Sequence, residues 1–175
     1  MAPGKGSDLS LADWVVLGVV AEGPTYGWPI VRELSADGGL GAVWTVPRPI
    51  VYRSISTLIT EGLLETSGDA PGVRGPRRTI VRVTPRGRRA LRSWLARPVD
   101  HVRDVRSEFL VKLALLGRSG RPDRELVQRQ LDELAPVFSA LQRPHDGDEF
   151  CAVLNRWRRE QARAVERFLR SLLDD

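Results

Sequence analysis

The stretch WTVPRPIVYRSISTLITEGLL, from Trp44 to Leu64, decides the fold of this chain. Its aliphatic residues recur at the spacing of one helical face: Val51, Ile55, Leu58 and Ile59. Prolines are tolerated in the first turn of a helix, where backbone N–H groups have no intrahelical partner, and glycine favours the C-terminal end. The stretch therefore predicts a helix that begins at Pro47–Pro49, ends at Gly62 and buries one side.

The other side of this helix carries basic and polar side chains: Arg48, Tyr52, Arg53, Ser56 and Thr60. Two interpretations of such a face are open. It is either an ordinary solvated surface or the surface of a helix that enters a groove of DNA. The charge distribution and the order of the other elements decide between them.

Length and composition set the class of protein. A chain of 175 residues with 42% hydrophobic residues can bury a core as one domain or two small ones. No apolar run approaches the length of a membrane span. Lys5 is the only basic residue before the apolar stretch Trp14–Ala21, and a single basic residue at this place is not typical of a secretion signal. The single cysteine, Cys151, excludes an internal disulfide and a cysteine-cluster zinc site. We expect a soluble, cytoplasmic protein with no membrane partner.

The excess positive charge lies in the first part of the chain. Residues 1–97 hold 13 Lys/Arg against 8 Asp/Glu, whereas residues 98–175 hold 14 of each. Between Ala70 and Val99 there are nine arginines and no acidic residue. A one-sided basic region of this kind is typical of nucleic-acid binding. An arginine-rich composition explains the preference for arginine over lysine, but not the absence of acids over thirty residues.

The predicted elements follow a recognisable order. After a flexible tail (residues 1–8), helices are expected at Leu9–Glu22, around Ile30–Leu34, and in the stretch above. Short strands at Leu63–Ser67 and Arg78–Thr84 flank GDAPGVRGPRR, which predicts a hairpin with a long, flexible, basic tip. A fourth helix is expected after a Thr84 cap, with Pro98 beyond its end, followed by helices at Arg106–Arg118, Arg124–Leu141 and Phe150–Leu173.

This order predicts a mainly α fold with a small β-hairpin. Three helices, a two-stranded basic hairpin and a further helix are the elements of a winged helix-turn-helix domain. We assign that domain to residues 9–97 and a helical domain to residues 98–175.

Four segments resemble the PadR-type transcriptional regulators. LGVVAEGPTYGWPI is similar to the family's first-helix end and following turn, and Trp44–Leu63 is similar to its recognition-helix signature. VRVTPRGRRALRSWL resembles the segment after the wing, and SEFLVKLALL resembles the start of the helical C-terminal domain of longer members. The resemblance implies a winged helix-turn-helix DNA-binding domain and an α-helical dimerisation domain.

On this resemblance, the DNA-binding residues fall into two groups. Arg48, Tyr52, Arg53 and Ser56 face the major groove, with Tyr52 at the DNA backbone, and Arg74, Arg77 and Arg78 on the wing track phosphates or the minor groove. Five more arginines either join this surface or only shape the field: Arg82, Arg86, Arg88, Arg89 and Arg92. The chain has Pro47-Arg48-Pro49-Ile50 where the family usually has small polar residues, so the family's base preference does not transfer.

An enzymatic function has little support in the sequence. His101 and His145 lie in polar, loop-like surroundings, and no metal-ligand spacing, nucleophile elbow or phosphate-binding glycine motif is present. Cys151 lies among apolar residues, which favours a buried, inert thiol over a nucleophile. No catalytic residue, metal or organic cofactor is expected.

The five tryptophans are divided by position. Trp28 and Trp44 occupy family-like structural positions, which predicts that they are core residues. Trp14, Trp94 and Trp157 lie on helices that, by resemblance, meet at or near a dimer interface. Two interpretations of these three remain open: packing between subunits, or a hydrophobic pocket for a flat aromatic effector.

The sequence thus predicts a homodimeric repressor that binds an inverted repeat in double-stranded DNA and is released by a small effector, which is aromatic on the pocket interpretation of the tryptophans. The alternative is a winged-helix dimer that acts mainly as a small-molecule-binding, sequestering or protein-interaction module. An enzyme of an unrecognised class is the remaining rival.

Overall fold

A computed structural model describes residues 9–72, 75–121, 123–141 and 149–174, with only the backbone for 69–72 and 75–78. The chain divides into two compact units, one up to Trp94 and one from Leu95 onwards. Among the described residues, no helix combines the length and the apolar character needed to cross a lipid bilayer.

The first unit has the predicted order of elements. Helices α1 (Leu11–Ala21), α2 (Gly27–Glu33) and α3 (Arg48–Thr60) precede strands β1 (Leu64–Gly72) and β2 (Gly75–Val83), and α4 (Pro85–Leu95) follows. The fold class predicted from the sequence, mainly α with a small hairpin, is confirmed.

Helix α1 begins later than its apolar pattern indicated because Ser10 forms a capping box. The Ser10 hydroxyl accepts a hydrogen bond from the Asp13 N–H (3.3 Å), and the Asp13 carboxylate accepts one from the Ser10 N–H (2.8 Å). These bonds satisfy N–H groups that a helix start leaves without partners. Valines and leucines of α1 then form the centre of the core with α3: Val15, Val16, Leu17, Val51 and Leu58.

Helix α3 begins and ends as predicted. Pro47 is its N-cap, Pro49 lies in the first turn, and Gly62 follows the helix with a φ of 66°. This left-handed conformation favours glycine because a Cβ would clash there. One residue on the inner face is unexpected: Ser54 is fully buried, and its hydroxyl has no hydrogen-bond partner in the described part of the chain.

The hairpin is more regular than the sequence suggested. The predicted strands ended at Ser67 and began again at Arg78, but antiparallel pairing continues outward to Gly72 opposite Gly75, with two irregularities in register. Glycine and proline mark bulges as well as loops, and these irregularities accommodate them. Thr25, between α1 and α2, pairs with Val81 of β2 through two backbone hydrogen bonds and adds a minimal third strand.

The start of α4 is fixed to the end of α3. The Thr84 hydroxyl accepts a hydrogen bond from the Gly87 N–H (3.0 Å) and donates to the carbonyl of Gly62 (2.8 Å). A Cβ on Gly87 would come within 2.2 Å of the Leu63 carbonyl oxygen, so the backbones of the two segments touch there. The threonine cap predicted from the sequence is confirmed, and it joins the end of α3, the hairpin and α4.

The second unit is helical. A 3-10 helix (Val102–Arg106) leads into α5 (Glu108–Arg118), α6 (Arg124–Leu141) and α7 (Glu149–Asp174). Its core is formed by side chains from all three α-helices: Phe109, Val111, Val127, Leu134, Ala162 and Leu169.

Candidate nucleic-acid interface

The outer face of α3 is a continuous polar surface. Val51 and Leu58 are fully buried on its inner face, whereas four predicted DNA-binding residues are exposed together on the outer face: Arg48, Tyr52, Arg53 and Ser56. Among the described residues, neither arginine forms an ion pair with an acidic side chain. Both guanidinium groups therefore keep their charge and their donors available to a ligand.

Tyr52 organises this face. The Arg48 guanidinium carbon lies 5.7 Å from the centre of the Tyr52 ring, within the range of a cation–π contact. The Ser56 hydroxyl donates a hydrogen bond to the Tyr52 carbonyl (3.1 Å). The hydroxyl oxygen of Ser56 is left as an acceptor toward solvent. The Tyr52 ring also lies against Gly27 at the start of α2.

Helix α2 adds an aromatic–arginine pair that the sequence did not predict. Trp28 is 57% exposed, and the Arg32 guanidinium carbon lies 5.8 Å from its ring centre. Trp44, before α3, is 39% exposed. The prediction that both tryptophans are core residues was wrong, because Ile30 fills the buried side of the short α2 and Trp28 lies on a different face. The i, i+4 spacing of Trp28 and Arg32 was the available signal.

The wing arginines are only partly described. Arg77 and Arg78 belong to β2, with Arg78 opposite Ala70, and nothing is described of their side chains. Arg74 lies outside the described residues. Arg82, further along β2, forms an ion pair with Glu65 directly across the hairpin (2.9 Å). The ion pair partly neutralises Arg82, although both side chains are half exposed.

Helix α4 presents further arginines to solvent: Arg86, Arg88, Arg89 and Arg92. Arg88 reaches the carbonyl of Ala21 at the C-terminal end of α1, at an N···O distance of 3.4 Å. A cation at that position also interacts favourably with the negative end of the helix dipole. Arg88 thus has a structural contact within the first unit.

The three tryptophans assigned to an effector are divided between the two units. In the first unit, the rings of Trp14 and Trp94 stack with centres 5.3 Å apart and planes inclined by 4°. In the second unit, Trp157 is 59% exposed and lines a cavity of about 340 Å³ with His101 and Arg158 among its other walls. Cys151 was predicted to be buried, but it is partly exposed because α7 buries only a narrow stripe.

Metal-binding residue types are dispersed. The described ranges contain no group of three or more His, Cys, Asp or Glu side chains arranged to hold a metal ion. His101 is exposed, and His145 lies outside the described residues.

A capped three-helix core, a β-hairpin and an exposed polar face on the third helix define a winged helix-turn-helix protein. Residues 16–93 match the family model described as the Transcriptional regulator PadR-like family. Over this segment, which runs from within α1 to within α4, the chain is similar to PadR-like transcriptional regulators. No curated protein matches the chain.

Several solved structures are similar at low sequence identity. Bacillus subtilis PadR in complex with operator DNA is 21% identical, with 92% of this chain and 97% of that chain covered and a TM-score of 0.48. The same protein in complex with p-coumaric acid is 19% identical, with 96% of each chain covered and a TM-score of 0.44. The PadR-like regulator BC1756 from Bacillus cereus is 16% identical, with 93% and 96% covered and a TM-score of 0.40.

Proposed function

We propose that the chain represses transcription by binding an inverted-repeat operator as a homodimer, and that a small aromatic effector releases it. The observation that carries this proposal is the outer face of α3, where Arg48, Tyr52, Arg53 and Ser56 are exposed together on the side opposite the buried Val51 and Leu58. An arginine on such a face reads base edges, and serine and tyrosine hydroxyls bind phosphates. The wing residues Arg74, Arg77 and Arg78 are assigned to phosphates because the acid-free region surrounds them.

Dimer formation is supported by α7. Its exposed apolar side chains, Phe150, Val153 and Trp157, recur at i, i+3 and i+7, which places them on one stripe. Ala162 and Leu169 are buried instead, so the helix packs within its own unit along one face and leaves a second apolar face outward. A second copy of the chain is the occupant that a two-fold symmetric operator requires.

Effector binding is supported by the exposed aromatic surface of Trp157 beside its cavity. A flat aromatic molecule stacks on such a ring, and a cavity of about 340 Å³ accommodates a small ligand.

Selection from a random duplex library tests the proposal. The full-length protein is expected to enrich an inverted repeat, and Arg53→Ala is expected to weaken binding to the selected duplex by about 10-fold, the effect of removing one base-reading arginine. Arg124→Ala is the matched control, since it removes an exposed arginine from the helical unit. Selection that enriches no sequence, or equal losses for the two variants, contradicts specific binding through α3 and favours the small-molecule-binding module.

A further inference from the structure

Gly27 has no backbone reason to be glycine. Among the described residues, the glycines with positive φ are Gly62, Gly68 and Gly120, so the backbone of Gly27 adopts a conformation open to any L-residue. A Cβ at this position would instead come within 2.5 Å of Cε1 and 2.9 Å of Cζ of Tyr52. The residue is thus small because the Tyr52 ring occupies the space beside it.

The contact between Gly27 and Tyr52 fixes the ring that holds Arg48. Tyr52 extends from α3, and its ring lies against the first residue of α2. Its cation–π contact then restrains the Arg48 guanidinium, whose centre is 5.7 Å away. The backbone on either side of Arg48 is restrained as well, because Pro47 and Pro49 each have a fixed φ. Arg48 is therefore held both at its backbone and at its guanidinium.

A restrained arginine suits base recognition better than phosphate binding. A phosphate contact tolerates many positions, whereas the two bonds to O6 and N7 of guanine need a planar guanidinium in one orientation. Restraint before binding also lowers the conformational entropy lost on binding. Arg53, in contrast, has no ring contact in the described structure.

We propose that Arg48 is a specificity-determining residue that reads a guanine in the major groove, and that Gly27 is a positioning residue that acts on it through the Tyr52 ring. The inference rests on the proposed DNA-binding function of α3. It adds the base that is read and a residue outside the recognition helix that controls this reading.

Substitution of Gly27 separates positioning from folding. The atoms that an alanine Cβ would meet belong to the distal part of the Tyr52 ring, so the ring can move while the backbone stays. We therefore expect Gly27→Ala to fold normally and to bind the selected duplex about twofold to fivefold more weakly, the equivalent of an exposed cation–π contact. With Tyr52→Ala present, Gly27→Ala is expected to cause no further loss.

The experiment measures dissociation constants by fluorescence anisotropy with the duplex selected by the wild-type protein. Each guanine of a half-site is replaced in turn by 7-deazaguanine, which lacks the N7 acceptor. Arg48→Ala is expected to lose about 10-fold on the unmodified duplex and a clearly smaller factor on the duplex modified at one position, where only the bond to O6 remains to be lost. Gly27→Ala causes a smaller loss of affinity on the unmodified duplex, and this loss should also be reduced on the duplex modified at that same position. Arg124→Ala is the matched control, since it removes an exposed arginine from the helical unit.

The outcomes that overturn the inference differ from those that overturn the proposed function. If the wild type selects a duplex but Arg48→Ala weakens binding equally at every modified position, Arg48 contacts phosphate and the inference fails alone. If Gly27→Ala weakens binding by the same factor in the Tyr52→Ala background as in the wild type, its effect does not pass through the Tyr52 ring. If the wild type binds all duplexes alike, the proposed function fails and this inference fails with it.

Discussion

The side-chain amide of Gln130 pairs with both backbone polar groups of Val99. Its Oε1 accepts a hydrogen bond from the Val99 N–H at 2.7 Å, and its Nε2 donates to the Val99 carbonyl at 2.8 Å. Both residues are buried, so these groups have no access to water. Two neighbouring carbonyls are bound as well, since Lys112 donates to Arg97 and Arg129 to Ala96. The segment after α4 is thus anchored to α5 and α6 by side chains.

Replacement of Gln130 by leucine should destabilise the helical unit. The substitution leaves the buried Val99 N–H and carbonyl without partners, and each such group costs about 1–3 kcal/mol. We expect the free energy of unfolding in urea to fall by about 2 kcal/mol or more. Gln128→Ala, an exposed position on the same helix, should change it by less than about 0.5 kcal/mol. Equal losses for the two variants would show that the amide pair contributes little.

Thr84→Val should lower the stability more than Thr84→Ser does, because only valine removes the hydroxyl that caps α4. Valine keeps the shape of threonine but removes the hydroxyl that bonds to Gly87 and Gly62, at a cost of about 1 kcal/mol. Serine keeps the hydroxyl and should retain most of the stability. Thermal unfolding followed by circular dichroism measures the difference. Identical midpoints for the two variants would mean that the hydrogen bonds are not what threonine contributes.

Burial of Lys112 should make stability depend on alkaline pH. Desolvation by burial lowers the pKa of Lys112 from 10.5, although the hydrogen bond and charge of Glu108, 2.7 Å away, act to raise it. In the pH range between the lowered pKa and 10.5, the unfolded chain binds this proton and the folded chain does not. The contribution of this group to the free energy of unfolding therefore rises as the pH approaches 10.5.

Lys112→Met removes this titrating group, so the free energy of unfolding of the variant should rise less with pH than that of the wild type. Urea unfolding of both proteins in steps from neutral pH to pH 10.5 measures the difference between their curves. The remaining titrating groups are common to both proteins and cancel in the comparison. Parallel curves over the whole range would contradict a lowered pKa for this lysine.

The wing arginines should act through salt dependence. We expect the triple change of Arg74, Arg77 and Arg78 to alanine to reduce the slope of log K against log salt by about 0.9 for each phosphate that the variant no longer binds. The affinity should fall equally for the selected duplex and a scrambled one. A triple change of exposed arginines in the helical unit is the charge-matched control: Arg121, Arg124 and Arg167. An equal reduction in the control would assign the effect to net charge alone.

The exposed stripe of α7 should determine the oligomeric state. Val153→Lys with Trp157→Lys introduces two charges at positions that are 61% and 59% exposed in the single chain. If a second copy covers them, light scattering should report a monomer and binding to the selected duplex should weaken strongly. Ala152→Lys with Arg156→Lys alters neighbouring exposed positions away from the stripe and should remain dimeric. A stripe variant that is still a dimer places the interface elsewhere.

Most of the fold could be predicted because it depends on local signals. The helical period, the Pro47–Pro49 start, the Gly62 end and the Thr84 cap are properties of a few consecutive residues, and all are present in the structure. The exposure of Trp28 and Trp44 could not be predicted in this way. A tryptophan fits a core position or an exposed one equally well, and neighbouring elements decide which it occupies.

The candidate site was predictable only along one helix. The outer face of α3 follows from helical spacing, and its four predicted residues are exposed together. The place of Gly27 beside Tyr52 depends on how α2 and α3 cross, and no pattern within either segment specifies that distance. The sequence leaves open whether Arg82 joins the DNA-binding surface or only shapes the field, and only the register of the hairpin places it opposite Glu65.

The buried position of Lys112 also makes it a chemical probe of local opening. The chain contains two lysines, Lys5 and Lys112, and the Lys112 side chain is 1% exposed. A reagent that acylates amines can reach it only when the helical unit opens. The acylation rate of Lys112, measured by peptide mass spectrometry, therefore reports the opening free energy at one side chain, as protection of a buried amide does in hydrogen exchange. The natural scarcity of lysine makes this measurement possible without introducing any label.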